Sequence, residues 1–221
     1  TRKIATKKIL KTDHPIAYDS PDHIFPWGTK NDNSTNEGFI EETLDFWKQR
    51  GKDKVNFLDL GCSGGQLVID YINRGHLGVG LEGSDYSVTH KRANWPKYYN
   101  KNLFTCDVTK KYELFENSEP IKFDIISAWE VIEHIKPDDQ KSFFTHISNN
   151  LNTGGFFCGS ISMNVEILEG HTLHQTVWNE KTWYENFPEI LEGTDLELYQ
   201  YPFKNKVRQD QGSFHVLLLK H

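Results

Sequence analysis

Cysteine is scarce: Cys62, Cys106 and Cys158 are the only three in 221 residues. They lie far apart and none belongs to a Cys-x-x-Cys pair, so a reduced, cytoplasmic protein is expected. Long apolar runs are missing too. No uninterrupted segment approaches the ~20 residues of a membrane span. A secretory signal is absent from the start, where residues 1–11 are basic without an apolar core. The chain begins at Thr1 rather than Met, which leaves open a preceding targeting sequence or a neighbouring domain. Basic charge is not in excess. The net charge of −6 and pI of about 5.9 count against a large nucleic-acid footprint. Repeats and low-complexity tracts are also absent. With 37% apolar and 25% charged residues, one globular domain over 1–221 with a sizeable core is expected.

What is present centres on Phe57-Leu58-Asp59-Leu60-Gly61-Cys62-Ser63-Gly64-Gly65-Gln66. A short apolar run is followed by a glycine-rich turn and a segment able to be helical, the start of a βαβ unit. The glycines allow a close approach of ligand to backbone, and the new helix offers unpaired N–H groups. The turn departs from the Gly-x-Gly-x-x-Gly dinucleotide fingerprint. Asp59 precedes it, and a carboxylate there would repel a pyrophosphate but suit an ammonium group.

Downstream, strands are expected at 55–60, 77–82, 102–106, 123–128 and 155–161, with helices at 64–74, 86–93 and 180–187. Residues 110–115 read as a loop or helical turn. A further helix is expected after 128, running to about 150 with a break at Lys136-Pro137. Strands at 197–201 and 214–219 close the chain without an intervening helix. Before all these, 37–50 reads as an amphipathic helix ended by Gly51. Residues 13–36 read as an ordered loop over the site, because Tyr18, Phe25 and Trp27 are unusual in a disordered tail. The alternation implies a doubly wound α/β sheet with an antiparallel pair at one edge.

The Asp59 to Gly65 turn resembles motif I of the class I S-adenosylmethionine (SAM)-dependent methyltransferases, Asp/Glu-x-Gly-x-Gly-x-Gly, with Ser63 in place of the middle glycine. The resemblance implies a seven-stranded Rossmann-like sheet with an antiparallel edge strand, residues 1–50 as a lid loop and helix, and 51–221 as the core. It implies SAM binding by Asp59, Gly61, Cys62, Ser63, Gly64 and Gly65. Glu82 and Gly83 end the second strand, where an acid can accept both ribose hydroxyls. Asp107 and Val108 end the third and would meet the adenine. Trp129 follows the fourth and would pack on the cofactor.

Glu130, Glu133 and His134 stand at i, i+3 and i+4, which on a helix is one face, and such a set can hold a divalent cation. Glu-x-x-Glu-His, with His174 before Trp178, is similar to the small-RNA 2′-O-methyltransferases. There, two acids and two histidines bind a metal. The resemblance implies Mg²⁺ or Mn²⁺ on Glu130, Glu133, His134 and His174, with His171 a competitor for the fourth place. The other reading makes His134 a metal-independent general base. A hydroxyl acceptor is implied. Residues 23–34 mix aromatic and polar groups that suit a sugar, naming Trp27, Lys30 and His171 as substrate contacts. The segment resembles the start of methyltransferases of surface-glycan biosynthesis. A glycan or nucleotide sugar is the expected acceptor, with the 2′-hydroxyl of an RNA end as the alternative and an inactive SAM-binding scaffold as the non-enzyme reading.

Overall fold

The computed structural model describes residues 7–221; residues 1–6, part of the basic start, lie outside the described residues. The chain enters as β1 (Lys8–Thr12), then two short helices, α1 (Pro21–Ile24) and α2 (Trp27–Asn31). The segment 13–36, expected as loop, therefore contains two helices. The Ser20 side chain caps α1 on the Asp22 N–H, and Pro21 supplies the φ of a first helical turn. Helix α3 (Glu37–Lys48) is capped by Asn36 and buries Phe39, Ile40, Thr43 and Trp47.

The alternating part follows: β2 (Asn56–Leu60), α4 (Gln66–Asn73), β3 (Leu77–Glu82), α5 (Tyr86–Thr89), α6 (Trp95–Tyr98) and β4 (Leu103–Thr105). The helix expected over 86–93 ends early, with Lys91 and Ala93 at positive φ. Pro96 opens α6 instead of blocking it, because a first turn has no N–H bond to lose. The expected loop or helical turn at 110–115 is largely a strand, β5 (Tyr112–Glu116), which pairs antiparallel with β1 and with β6 (Glu119–Pro120). Tyr112 and Leu114 point inward around an outward Glu113. That period-two pattern is stable only because β1 arrives from the other end of the chain. Next come β7 (Phe123–Trp129), α7 (Pro137–Asn150), β8 (Leu151–Ser162), a hairpin of β9 (Ile167–Leu168) and β10 (His171–Thr172), α8 (Glu180–Ile190), β11 (Leu196–Tyr199) and β12 (Ser213–Lys220).

The main sheet has seven strands in the order β11-β12-β8-β7-β2-β3-β4. Strands β8, β7, β2, β3 and β4 are parallel, and β12 runs antiparallel between β8 and the edge strand β11. This is the Rossmann-like methyltransferase arrangement expected from the sequence. One face packs on α7 and α8 through Phe143, Phe144, Trp183 and Phe187. The other packs on α3 and α4 through Phe39, Trp47, Leu67 and Tyr71. The chain runs outward from β2 through β3 to β4, then returns to β7 on the other side of β2. That reversal is a switch point, where α/β sheets open a crevice at their carboxyl ends. All three cysteines are buried and free. No described helix is long and apolar enough to cross a membrane.

Candidate active site

The glycine loop leaves β2 with Gly61 (φ +70), Ser63 (φ +46) and Gly65 (φ +83) in left-handed backbone. A β-carbon is strained there, and at Ser63 local bonds offset the strain. The Ser63 N–H donates to Glu82 Oε2 (2.8 Å) and its hydroxyl to the Asp32 carbonyl (2.6 Å), while Trp95 Nε1–H donates to its carbonyl (2.6 Å). A Cβ on Gly64 would lie 2.2 Å from Oδ1 of Asn33. That oxygen accepts the Gln66 N–H at 3.0 Å, capping α4 in place of the side chain Gly65 lacks. The helix end expected to face a ligand is thus partly closed by the chain's own N-terminal segment.

Three adjoining cavities follow the carboxyl edge of the sheet. The first, about 170 Å³, is walled by Gly61, Glu82, Gly83, Asp107, Val108 and Asp22 among others. A small one of about 90 Å³ shares Gly61 and Glu82 with it and adds Ser63, Trp129, Glu130 and Arg208. The third, about 480 Å³, shares Glu130 and Arg208 with the small one and adds Trp27, Glu133, Glu166, His174 and Asp210. His134 lines all three. Of the residues expected at the cofactor, Asp59, Cys62, Gly64 and Gly65 line none of them.

Glu82 is 6% exposed. Its oxygens accept the N–H groups of Ser63 (2.8 Å) and Gly83 (3.0 Å), and burial lifts its carboxyl to about 7. Each oxygen keeps a lone pair, which suits two vicinal hydroxyls. Glu82→Ala is expected to weaken SAM binding by roughly 1.5–3 kcal/mol; calorimetry showing unchanged affinity in the folded variant would remove Glu82 from the ribose site. Asp107 caps its own loop, its Oδ1 accepting the Thr109 N–H (3.0 Å) and hydroxyl (2.7 Å), while also walling the first cavity.

Asp59, expected at a ligand ammonium, lines none of the three cavities. The parallel register sets it beside Ser127, whose hydroxyl donates to Oδ1 at 2.7 Å, and it is 5% exposed. Burial raises its carboxyl from 3.8 to about 8. An acid with a raised folded pKa binds more protons folded than unfolded between those values, so its contribution to stability falls as pH rises from about 4 to 8. Asp59→Asn is expected to flatten that part of the profile, raising the urea midpoint relative to wild type at pH 8.5 more than at pH 5. Equal shifts at both pH values would refute a buried, protonated Asp59.

Beyond β7 the expected helical face is not formed. Glu130 sits at φ +55, residues Ile132–His134 make a single 3₁₀ turn, and α7 starts only at Pro137. Proline tolerates a first turn but not a helix interior. The turn is held from behind. Gln140 Nε2 donates to the carbonyls of Ile132 (2.9 Å) and Ile135 (3.0 Å), and the N–H groups of Gln175 and Thr176 donate to that of Glu133 (2.7 and 3.0 Å). These bonds bring ligand atoms of Glu133, His134 and His174 within 4.8 Å of one another. Glu130 lies outside that group; its carboxyl adjoins Glu133 and accepts from the Ser213 hydroxyl.

Glu133 is fully buried, and neither carboxylate oxygen has a hydrogen-bond partner among the described residues. Burial and then the Glu130 carboxyl push its pKa well up. Beside two imidazoles, this donor set fits a divalent cation, whose charge would offset the cost of burial. His174 has a hydrogen-bonded outer partner, as metal-binding histidines do, and His134 has a carboxylate neighbour. The Asn164 carbonyl can only accept, so His174 Nδ1 donates to it (2.6 Å), and Nε2 lies 3.1 Å from Glu166. His134 Nδ1 lies 3.0 Å from Asp22 Oδ2. Burial and then the His134 charge lower His174. Burial also pulls His134 down, but Asp22, Glu166 and Glu130 together outweigh it and His134 is raised.

The expected substrate residues divide. Trp27 walls the third cavity and is 45% exposed. His171 stacks on Phe25 (5.0 Å, 11°), and Phe25 on Trp27 (6.3 Å, 3°), joining the N-terminal segment to the β9–β10 hairpin. His171 is therefore outside the Glu133 group, and Lys30 is exposed and lines no cavity. Sequence reasoning missed Asp22, Asn33, Glu166 and Arg208. None carries a motif, and each is placed by a contact distant in sequence.

A search of curated proteins finds no match. Solved structures resemble the chain at low identity. A SAM-dependent methyltransferase from Clostridium acetobutylicum ATCC 824 aligns with a TM-score of 0.57 and 17% identity, over 83% of this chain and 90% of its own. The magnesium protoporphyrin IX methyltransferase of Synechocystis PCC 6803, with bound SAH, gives 0.55 and 13% over 92% and 96%. The glycopeptide N-methyltransferase MtfA with S-adenosyl-L-homocysteine gives 0.56 and 13% over 90% and 95%. These identities show a shared fold. A family model described as a methyltransferase domain matches residues 33–197. That span holds the glycine loop, both strand-end acids and the Glu133 group, and by it the chain belongs to the methyltransferase-domain family, as a SAM-dependent methyltransferase.

Proposed function

We propose that the chain is an O-methyltransferase acting on a sugar hydroxyl of a glycan or nucleotide sugar, with Mg²⁺ or Mn²⁺ held by Glu133, His134 and His174. Glu133, fully buried with both oxygens unpartnered among the described residues, carries the reading. A bound divalent cation would act as a Lewis acid and lower the pKa of the hydroxyl. The chain's own groups do the rest. Trp27 offers an aromatic face at the cavity rim, and Asn31, Asp32, Asn164 and Asp210 offer partners to further hydroxyls. Glu166, beside His174, stands ready to take the proton. The oxygen attacks the sulfonium methyl, the C–S bond breaks as the O–C bond forms, and SAH leaves.

A second reading rests on the 3.0 Å contact of Asp22 with His134. It makes His134 a general base oriented by a carboxylate, with no metal. The acid-rich third cavity, like the net charge of −6, counts against an RNA end. The test is methyl transfer from labelled SAM to deoxyhexoses, glycans and short RNAs, with and without EDTA. Transfer to a sugar that stops on chelation supports the first reading, and EDTA-resistant transfer supports the second. Transfer to RNA alone would overturn the choice of acceptor.

A further inference from the structure

We propose that Arg208 and Trp129 form a carboxylate grip in the small cavity, holding the amino-acid end of SAM. This inference rests on SAM binding and says nothing of the acceptor. The cavity joins the Glu82 end of the first cavity to the Glu133 cavity, so a nucleoside seated at Glu82 would send its amino-acid tail into it. Four carboxylates line it: Asp22, Asp32, Glu82 and Glu130. A carboxylate entering there needs donors, and two are present.

Trp129 is 7% exposed, and its buried Nε1–H has no partner among the described residues. A buried donor left unpaired is costly, so a ligand oxygen is its natural complement. The ring is steadied edge-on by Phe39 at 5.1 Å. Arg208 is half-buried and tethered on both sides, with Nη1 3.6 Å from Asp32 and Nη2 2.6 Å from Asp210. These carboxylates pin the guanidinium at the cavity wall. A guanidinium has five N–H donors in a rigid fork, so donors remain for a ligand carboxylate. A guanidinium and a neutral N–H line the same small cavity as the carboxylates of Asp22, Glu82 and Glu130, so partners for both charges of a zwitterion are present.

The test uses the full chain and two ligands, SAH and 5′-methylthioadenosine, which lacks the amino-acid end. Trp129→Phe removes only the donor and keeps most of the ring, while Arg208→Gln removes the charge. By calorimetry, wild type should bind SAH more tightly than methylthioadenosine. Each variant should lose about 10-fold or more of the SAH affinity, with methylthioadenosine affinity unchanged. An SAH preference that survives in both variants overturns the grip, and so does an equal loss of both ligands. Wild type that binds neither ligand overturns SAM binding itself, a failure distinct from that of the grip.

Discussion

Chelation with EDTA is expected to suppress methyl transfer, and added Mg²⁺ or Mn²⁺ to restore it. The reason lies in Glu133. Neither oxygen of its buried carboxyl has an aligned hydrogen-bond partner among the described residues; of the two nearest imidazoles, His174 is held by the Asn164 carbonyl and His134 Nδ1 stands 3.0 Å from Asp22. Glu133→Gln keeps the volume and removes the charge. It and His174→Ala should reduce turnover by more than the ~10–100-fold that losing an outer partner of a metal site costs, with SAM affinity little changed, because Glu133 and His174 line only the third cavity. Calorimetry with the metal alone gives a readout apart from activity: wild type should bind and Glu133→Gln should not. If turnover survives chelation while His134→Ala is inactive, the cation plays no part and His134 is the base.

Deleting residues 1–34 should abolish transfer while leaving the seven-stranded sheet folded. No strand of that sheet comes from the described residues of this segment, 7–34, so the main core keeps its pairings. What is lost is contact with the site. Asn33 caps α4, the carbonyls of Thr29 and Asp32 receive the Ser63 hydroxyl, and those of Lys30 and Asp32 receive Arg92. Asp22 leaves His134, and Trp27 leaves the wall of the third cavity. The cap alone is worth about 1 kcal/mol, and the left-handed Ser63 loses the bonds that offset its strain. β5 also loses β1, so the melting temperature should drop while far-ultraviolet circular dichroism keeps its α/β shape. Full activity in the truncated chain would show that the segment is no part of the site.

The sequence by itself determined the parallel sheet and the acids at its carboxyl edge. Both follow from local chemistry: short continuous apolar runs, glycines at a strand-to-helix turn, and acids at strand ends. Glu82 and Asp107 could be placed because a strand end in such a sheet has one direction to face. The residues of the second cluster were legible as types but not as geometry. Glu130, Glu133 and His134 suggested a helix by spacing, yet Glu130 is left-handed and Pro137 delays α7. His174 meets Glu133 only because Gln175 and Thr176 bond to its carbonyl. Asp59 looked like a ligand until the register with β7 set Ser127 beside it. Tertiary structure alone decided these points, along with Asp22 at His134, Asn33 at the head of α4 and Arg208 at the small cavity. Each depends on which distant segment arrives at a given edge. That is settled by burial of the whole core and by pairing across the sheet, and local sequence pattern carries no record of it.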